Sequence, residues 1–186
     1  MILSLSDLSD GQTVLSGVHA GRKLLAQLVA HSAPPSQDEV AYLDCAGIRV
    51  ATGSFLRESV LAFRDYTRST LPHLYPVVAN PSEAVVEELD FLLKHRKDAL
   101  WICQLDTAGQ VSQASIIGEL DLGHRTTFDM VASLRAASAP DLANRGDGTI
   151  GPTAWNNRLA YLAARGLLIE RRAGKSKTFT PVLETL

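Results

Sequence analysis

Two cysteines in 186 residues leave no material for a disulfide scaffold or a four-ligand zinc site, and the five histidines are scattered rather than clustered. Cys45 and Cys103 both fall in segments that read as strands, so reduced, buried thiols are expected. No apolar run approaches the ~18 residues a membrane span requires, and no basic stretch precedes an apolar one of signal length. A cytoplasmic protein without membrane contact is expected. Neither a Gly-Lys-Thr phosphate loop nor a GxGxxG turn occurs, so no cofactor is expected, and no metal either. Convergent catalytic groups are also missing. Asp44 follows a strand, as catalytic carboxylates often do, yet no His or Cys with a recognisable partner spacing stands near it, and the chain does not read as an enzyme.

What is present is an apolar fraction of 46%, enough for real cores in one large or two small domains. The net charge of −2 conceals an asymmetry. Residues 124–186 hold nine Lys and Arg against five Asp and Glu, whereas residues 1–123 hold nine against fifteen. The tail is therefore basic and the head acidic, and a basic tail points to an anionic partner.

The first 117 residues alternate between the two periodicities. Met1 to Leu5 reads as an opening strand, and Leu24, Leu25, Leu28 and Val29 set a helical face from Val18 to Ala30, closed by Pro34 and Pro35. Val40 to Cys45 is a strand that Ile48 to Ala51 extends after Gly47. Leu56, Val60, Phe63 and Tyr66 then keep helical spacing from about Ser54 to Arg68, with Thr52 or Ser54 available as cap. Leu74 to Ala79 is a strand, Pro81 stands near the start of a helix faced by Val85, Leu89, Leu92 and Leu93, and Ala99 to Leu105 and Val111 to Ile117 are strands. That order predicts an α/β domain over residues 1–117, a small mixed sheet with crossover helices.

Residues 118–186 read differently. A helix from about Arg125 to Ala137, a short one opened by Ala139-Pro140-Asp141, and a turn lead into TIGPTAWNNRLAYLAARGLLIERRAGKSKTFTPV, Thr149 to Val182. Trp155, Leu159, Leu162 and Gly166 fall on one helical stripe, so they face a core. The opposite side is centred on Thr153 and Asn157, with Ala160 and Ala164 small beside them, Asn156 at the flank and Arg158 near the stripe's edge. Asn can pair bidentately with adenine. Pro152 suits the first turn and Gly166 the C-terminal cap, so the helix spans Pro152 to Arg165. Leu167 to Arg171 and Thr178 to Val182 then read as strands around a turn from Arg172 to Lys177. Arg171, Arg172, Lys175 and Lys177 crowd into about seven residues at and beside it, either as a solvated hairpin or as contacts for phosphate oxygens.

The PDLAN, TAWNNRLAYLAARGLL and ERRAGKSKTFTPV segments resemble the winged helix-turn-helix domains of bacterial regulators, over about Arg125 to Val182. The resemblance implies a helix entering the major groove of double-stranded DNA and a hairpin wing on its backbone or in its minor groove. Thr153, Asn156, Asn157, Arg158, Arg171, Arg172, Lys175 and Lys177 would be its contacts. YLDCAGIRVATGSFLRESV resembles STAS-like domains related to anti-sigma factor antagonists. In that branch a phosphorylatable hydroxyl heads the helix after the second core strand, usually behind an Asp; Ala51 stands in the Asp position here, with Thr52 at the hydroxyl and Ser54 two further on. Together the resemblances imply a transcriptional regulator, with the N-terminal domain a sensing, dimerising or partner-docking platform. The alternative is a phosphoswitch of the antagonist type, in which Thr52 or Ser54 is a regulatory hydroxyl rather than a cap.

Overall fold

The computed structural model describes residues 1–146, 148–174 and 176–184. It is a mixed α/β protein with a mostly parallel sheet and several helices. The chain divides into two compact units, Met1–Glu119 and a second that begins at Leu120.

The first unit contains β1 (Ile2–Ser4), β2 (Val14–Leu15), α1 (Val18–Ala30), β3 (Glu39–Asp44), β4 (Val50–Ala51), α2 (Gly53–Leu56), α3 (Ala62–Thr70), β5 (Leu74–Ala79), α4 (Glu83–Arg96), β6 (Ala99–Leu105) and β7 (Val111–Gly118). Five strands form one sheet in the order β1-β3-β5-β6-β7, parallel as far as β6 and closed by the antiparallel β7. Successive parallel strands need crossovers, and an order that never reverses stacks those crossovers on one face. Accordingly Leu24 and Leu28 of α1, Phe55 and Leu56 of α2, Phe63 of α3 and Val85, Leu89 and Leu93 of α4 share a single core. From the sheet they meet Leu3, Leu43, Leu74, Val78 and Leu100.

Three details depart from the sequence expectation. Val50 and Ala51 do not prolong β3; they pair in parallel with Val14 and Leu15 as a separate two-stranded ribbon. Between α2 and α3 the helix loosens into a π-helical segment, Arg57–Leu61. Such a segment brings residues five apart onto one face, which is how Phe55 with Val60, and Leu56 with Leu61, are all buried while Tyr66 is only half-buried. Pro81 lies outside α4, whose cap is Ser82, its hydroxyl accepting from the Val85 amide. The close approach of α1 to α2 depends on Gly21, since a Cβ there would stand 2.7 Å from the Phe55 carbonyl oxygen. Cys45 and Cys103 are buried free thiols, and burial followed by the charge of Asp44 pushes them up to about 12 and about 11 respectively.

The second unit contains α5 (Leu122–Leu134), α6 (Ala139–Arg145), α7 (Pro152–Ala164), β8 (Leu168–Ala173) and β9 (Ser176–Pro181). Helix α5 begins three residues before the expected Arg125 because Asp121 caps it, its carboxylate accepting from the His124 amide, and Arg135 at φ 60° ends it. Ser138 and Asp141 form a reciprocal capping box on α6, with Pro140 in its first turn. The strands β8 and β9 pair antiparallel from Leu168↔Pro181 to Ala173↔Ser176, so pairing reaches two residues further on each side into the segment expected as turn, Arg172 to Lys177. Ala137, between α5 and α6, exchanges both backbone hydrogen bonds with Phe179 and so ties the hairpin to the helices.

Candidate functional site

Helix α7 is positioned by its apolar stripe. Trp155, Leu159, Leu162 and Ala163 are buried, and the helix packs on α5, α6 and β8. Trp155 is therefore a core residue and no stacking platform. The outward side carries Thr153 and Asn157, both exposed, with Ala164 exposed and Ala160 half-buried. Two short polar side chains and two alanines leave little bulk above the helix surface.

Asn156 sits at the flank, on the wall of a groove of about 420 Å³ shared with Ser138, Pro140, Asp141, Ser176, Lys177 and Thr178. The groove thus joins the start of α6, the first half of α7 and the start of β9. Arg158 is elsewhere. Its guanidinium lies 5.3 Å from the centre of the Trp155 ring and 3.1 Å from where a Cβ on Gly123 would stand, so it covers the α5–α7 seam and does not share the side of Thr153 and Asn157. Further along α7, Tyr161 is stacked on His124 at 3.7 Å and has the Arg165 guanidinium 3.5 Å from its ring centre. One ring admits only one such neighbour per face, so His124 and Arg165 clasp Tyr161 between them. His124, in the first turn of α5, is thus engaged both by Asp121 and by the Tyr161 ring.

Among the described residues, the hairpin cations do not form a single cluster. Alternation along a strand puts Arg172 and the directly opposed Lys177 on one face and Arg171, opposite Thr178, on the other. Glu170 lies on the face of Arg172 and Lys177. Its Oε1 accepts from Arg172 Nε at 2.8 Å and stands 3.1 Å from Lys177 Nζ. Burial pushes the Glu170 carboxyl up, but hydrogen bonds from Arg172 and Lys177, reinforced by their charges, outweigh it and hold the group below the usual carboxylate range. Sequence reasoning passed over Glu170, although its two-residue spacing from Arg172 was visible. Lys175 lies outside the described residues.

In the first unit, Thr52 heads α2 with extended backbone, but its hydroxyl makes no capping hydrogen bond. Instead Oγ1 accepts from the Gly17 amide at 3.4 Å and lies 3.3 Å from Ser54 Oγ. The capping role expected for Thr52 or Ser54 is thereby corrected: the hydroxyls face each other and the start of α1. Thr52→Ala is then expected to lower unfolding stability by no more than about 0.5 kcal/mol, and a denaturation curve shifted by the ~1 kcal/mol of a true cap would contradict this. Asp44 accepts from the Ala46 amide and from Asn80 Nδ2, both at 2.9 Å, and is a loop-fastening acid.

No protein-family model matches the chain, and no characterised protein or solved structure is significantly similar to it.

Proposed function

We propose that the protein is a DNA-binding transcriptional regulator of the cytoplasm. The second unit acts as a winged helix-turn-helix: α7 enters the major groove, and the β8–β9 hairpin is the wing that meets the phosphate backbone. The STAS-like first unit is the dimerising or partner-docking platform. One observation carries most of this: within its unit α7 turns a polar face, exposed Thr153 and Asn157 over Ala160 and Ala164, away from the core, and the flank of that face opens into a groove walled by Asn156 and the hairpin's Lys177. A helix so shaved can approach base edges, and cations beside it can satisfy phosphates. One such unit reads only a short footprint, so two copies on a two-fold site, or a second DNA-bound protein, are needed for a useful address.

The test uses the full chain and duplexes it enriches from a random pool, with binding followed across a salt series. Asn157→Ala and Asn156→Ala should each cost about 1–3 kcal/mol on the enriched duplex and less on random DNA. Equal losses on both kinds of DNA would remove the base-reading role, and no binding at low salt would remove the proposal itself.

A further inference from the structure

Arg172 and Lys177 stand directly opposite each other in the hairpin ladder. Like charges so placed repel. A single carboxylate answers both of them, since Glu170 Oε1 reaches Arg172 Nε at 2.8 Å and Lys177 Nζ at 3.1 Å, leaving this face with one net positive charge instead of two. Lys177 is the more confined of the pair, its side chain 30% exposed against 67% for Arg172, and it lines the groove that also holds Asn156. The Glu170 side chain is itself only 23% exposed, less than either cation it pairs with.

Resting on the DNA-binding reading above, we infer that Glu170 is a built-in competitor of the phosphate backbone, which screens Arg172 and Lys177 and so restrains sequence-independent affinity. A phosphate that approaches either cation must draw it from a carboxylate already in place. That cost falls on every sequence alike, because the backbone is the same everywhere. Base contacts by Asn156 and Asn157 are untouched by it, so their share of the binding free energy is larger than it would be on an unscreened hairpin. A regulator facing a vast excess of competing sites gains from that ratio more than from raw affinity.

Glu170→Gln keeps the shape of the side chain, and its amide oxygen still accepts from Arg172, so the hairpin is left intact. With a random-sequence duplex as probe, the full-length variant should bind about tenfold tighter than the wild type at ~0.1 M salt, and its salt slope should steepen by about 0.9, one phosphate's worth. The enriched duplex should gain less, so the ratio of enriched to random binding falls. Adding Lys177→Gln to Glu170→Gln restores the wild-type charge of this face and should return affinity and slope to near the wild-type values. If the wild type binds DNA and Glu170→Gln binds equally or more weakly, Glu170 merely positions the cations; the competitor role is then overturned while the DNA-binding reading stands. A gain that Lys177→Gln fails to reverse also overturns it. If neither protein binds any duplex, both the inference and the reading beneath it fall.

Discussion

Arg64→Met is expected to lower the unfolding free energy of the first unit by about 3–5 kcal/mol, the range found when one member of a buried ion pair is removed. Arg64 on α3 is 3% exposed and Asp98, just before β6, is 5% exposed. The guanidinium Nη2 donates to one carboxylate oxygen of Asp98 and Nη1 donates to the other at 3.3 Å, while Nη1 also reaches the Ala99 carbonyl at 3.2 Å. Burial works against the charge on Arg64, but Asp98 and then Asp65 outweigh it and hold the group fully protonated. The substitution takes the cation away from a buried carboxylate that keeps the Ala99 amide as a donor, at 2.8 Å. The loss therefore reflects a buried carboxylate deprived of its guanidinium more than the net worth of the pair. Arg64→Met combined with Asp98→Asn removes both charges and leaves the amide oxygen for Ala99, so it should be less damaging than Arg64→Met alone. Urea unfolding of the wild type and the two variants decides the matter. A loss below about 1 kcal/mol for Arg64→Met would mean that the pair behaves as a solvated surface bridge.

That pair also marks the limit of what could be read from the chain. Periodicity exposed the frame: Leu24 and Leu28 in α1, Val85, Leu89 and Leu93 in α4, and the run from Ala99 to Leu105 all declare their faces through neighbours a few residues away. The helical stripe of Trp155, Leu159 and Leu162 did the same for α7, and spacing alone left Thr153 and Asn157 on the opposite side. Contacts between distant residues carry no such signal. Arg64 and Asp98 are 34 residues apart, Gly21 meets Phe55 across two helices, and Val14 pairs with Val50 in a ribbon too short to show alternation. The hairpin fell between the two cases. Its cations were visible, but their partition into faces depends on register, and register depends on where the turn closes. With the turn read as Arg172 to Lys177 they made one cluster; with β8 running to Ala173, Arg172 is set against Lys177 and both fall under Glu170. Thr52 shows the same limit from the other side, because its position at a helix head was legible whereas the Gly17 amide that engages its hydroxyl comes from 35 residues away.

Alanine at Arg172, Lys175 and Lys177 together is expected to weaken binding to every DNA sequence alike, on the order of 10²-fold at ~0.1 M salt, with the salt slope flattened by about 2, one for Lys175 and one for the Glu170-screened pair. Each phosphate neutralised by a cation releases about 0.9 of a counterion, so the slope counts the phosphates the hairpin neutralises and the affinity follows from it. The change also leaves the Glu170 carboxylate without Arg172 and Lys177, adding repulsion to the missing attraction. The hairpin itself should survive, because Phe179 is fully buried and its backbone bonds to Ala137 do not involve the replaced side chains. Circular dichroism and the unfolding midpoint should stay near wild type. Net charge alone must be separated from position, and Arg22→Ala with Lys23→Ala in the first unit supplies the control, since both side chains are exposed and pair with Glu58 and Asp10. Two cations removed there should leave the slope almost unchanged, whereas two removed at Arg172 and Lys177, which share Glu170 and so neutralise about one phosphate between them, should flatten it by about 1. If the two double variants flatten it equally, the hairpin attracts DNA only through the overall charge of the protein. An unchanged slope in the triple variant would make the hairpin a solvated surface element, and the backbone contacts of α7 would have to be sought on its other neighbours.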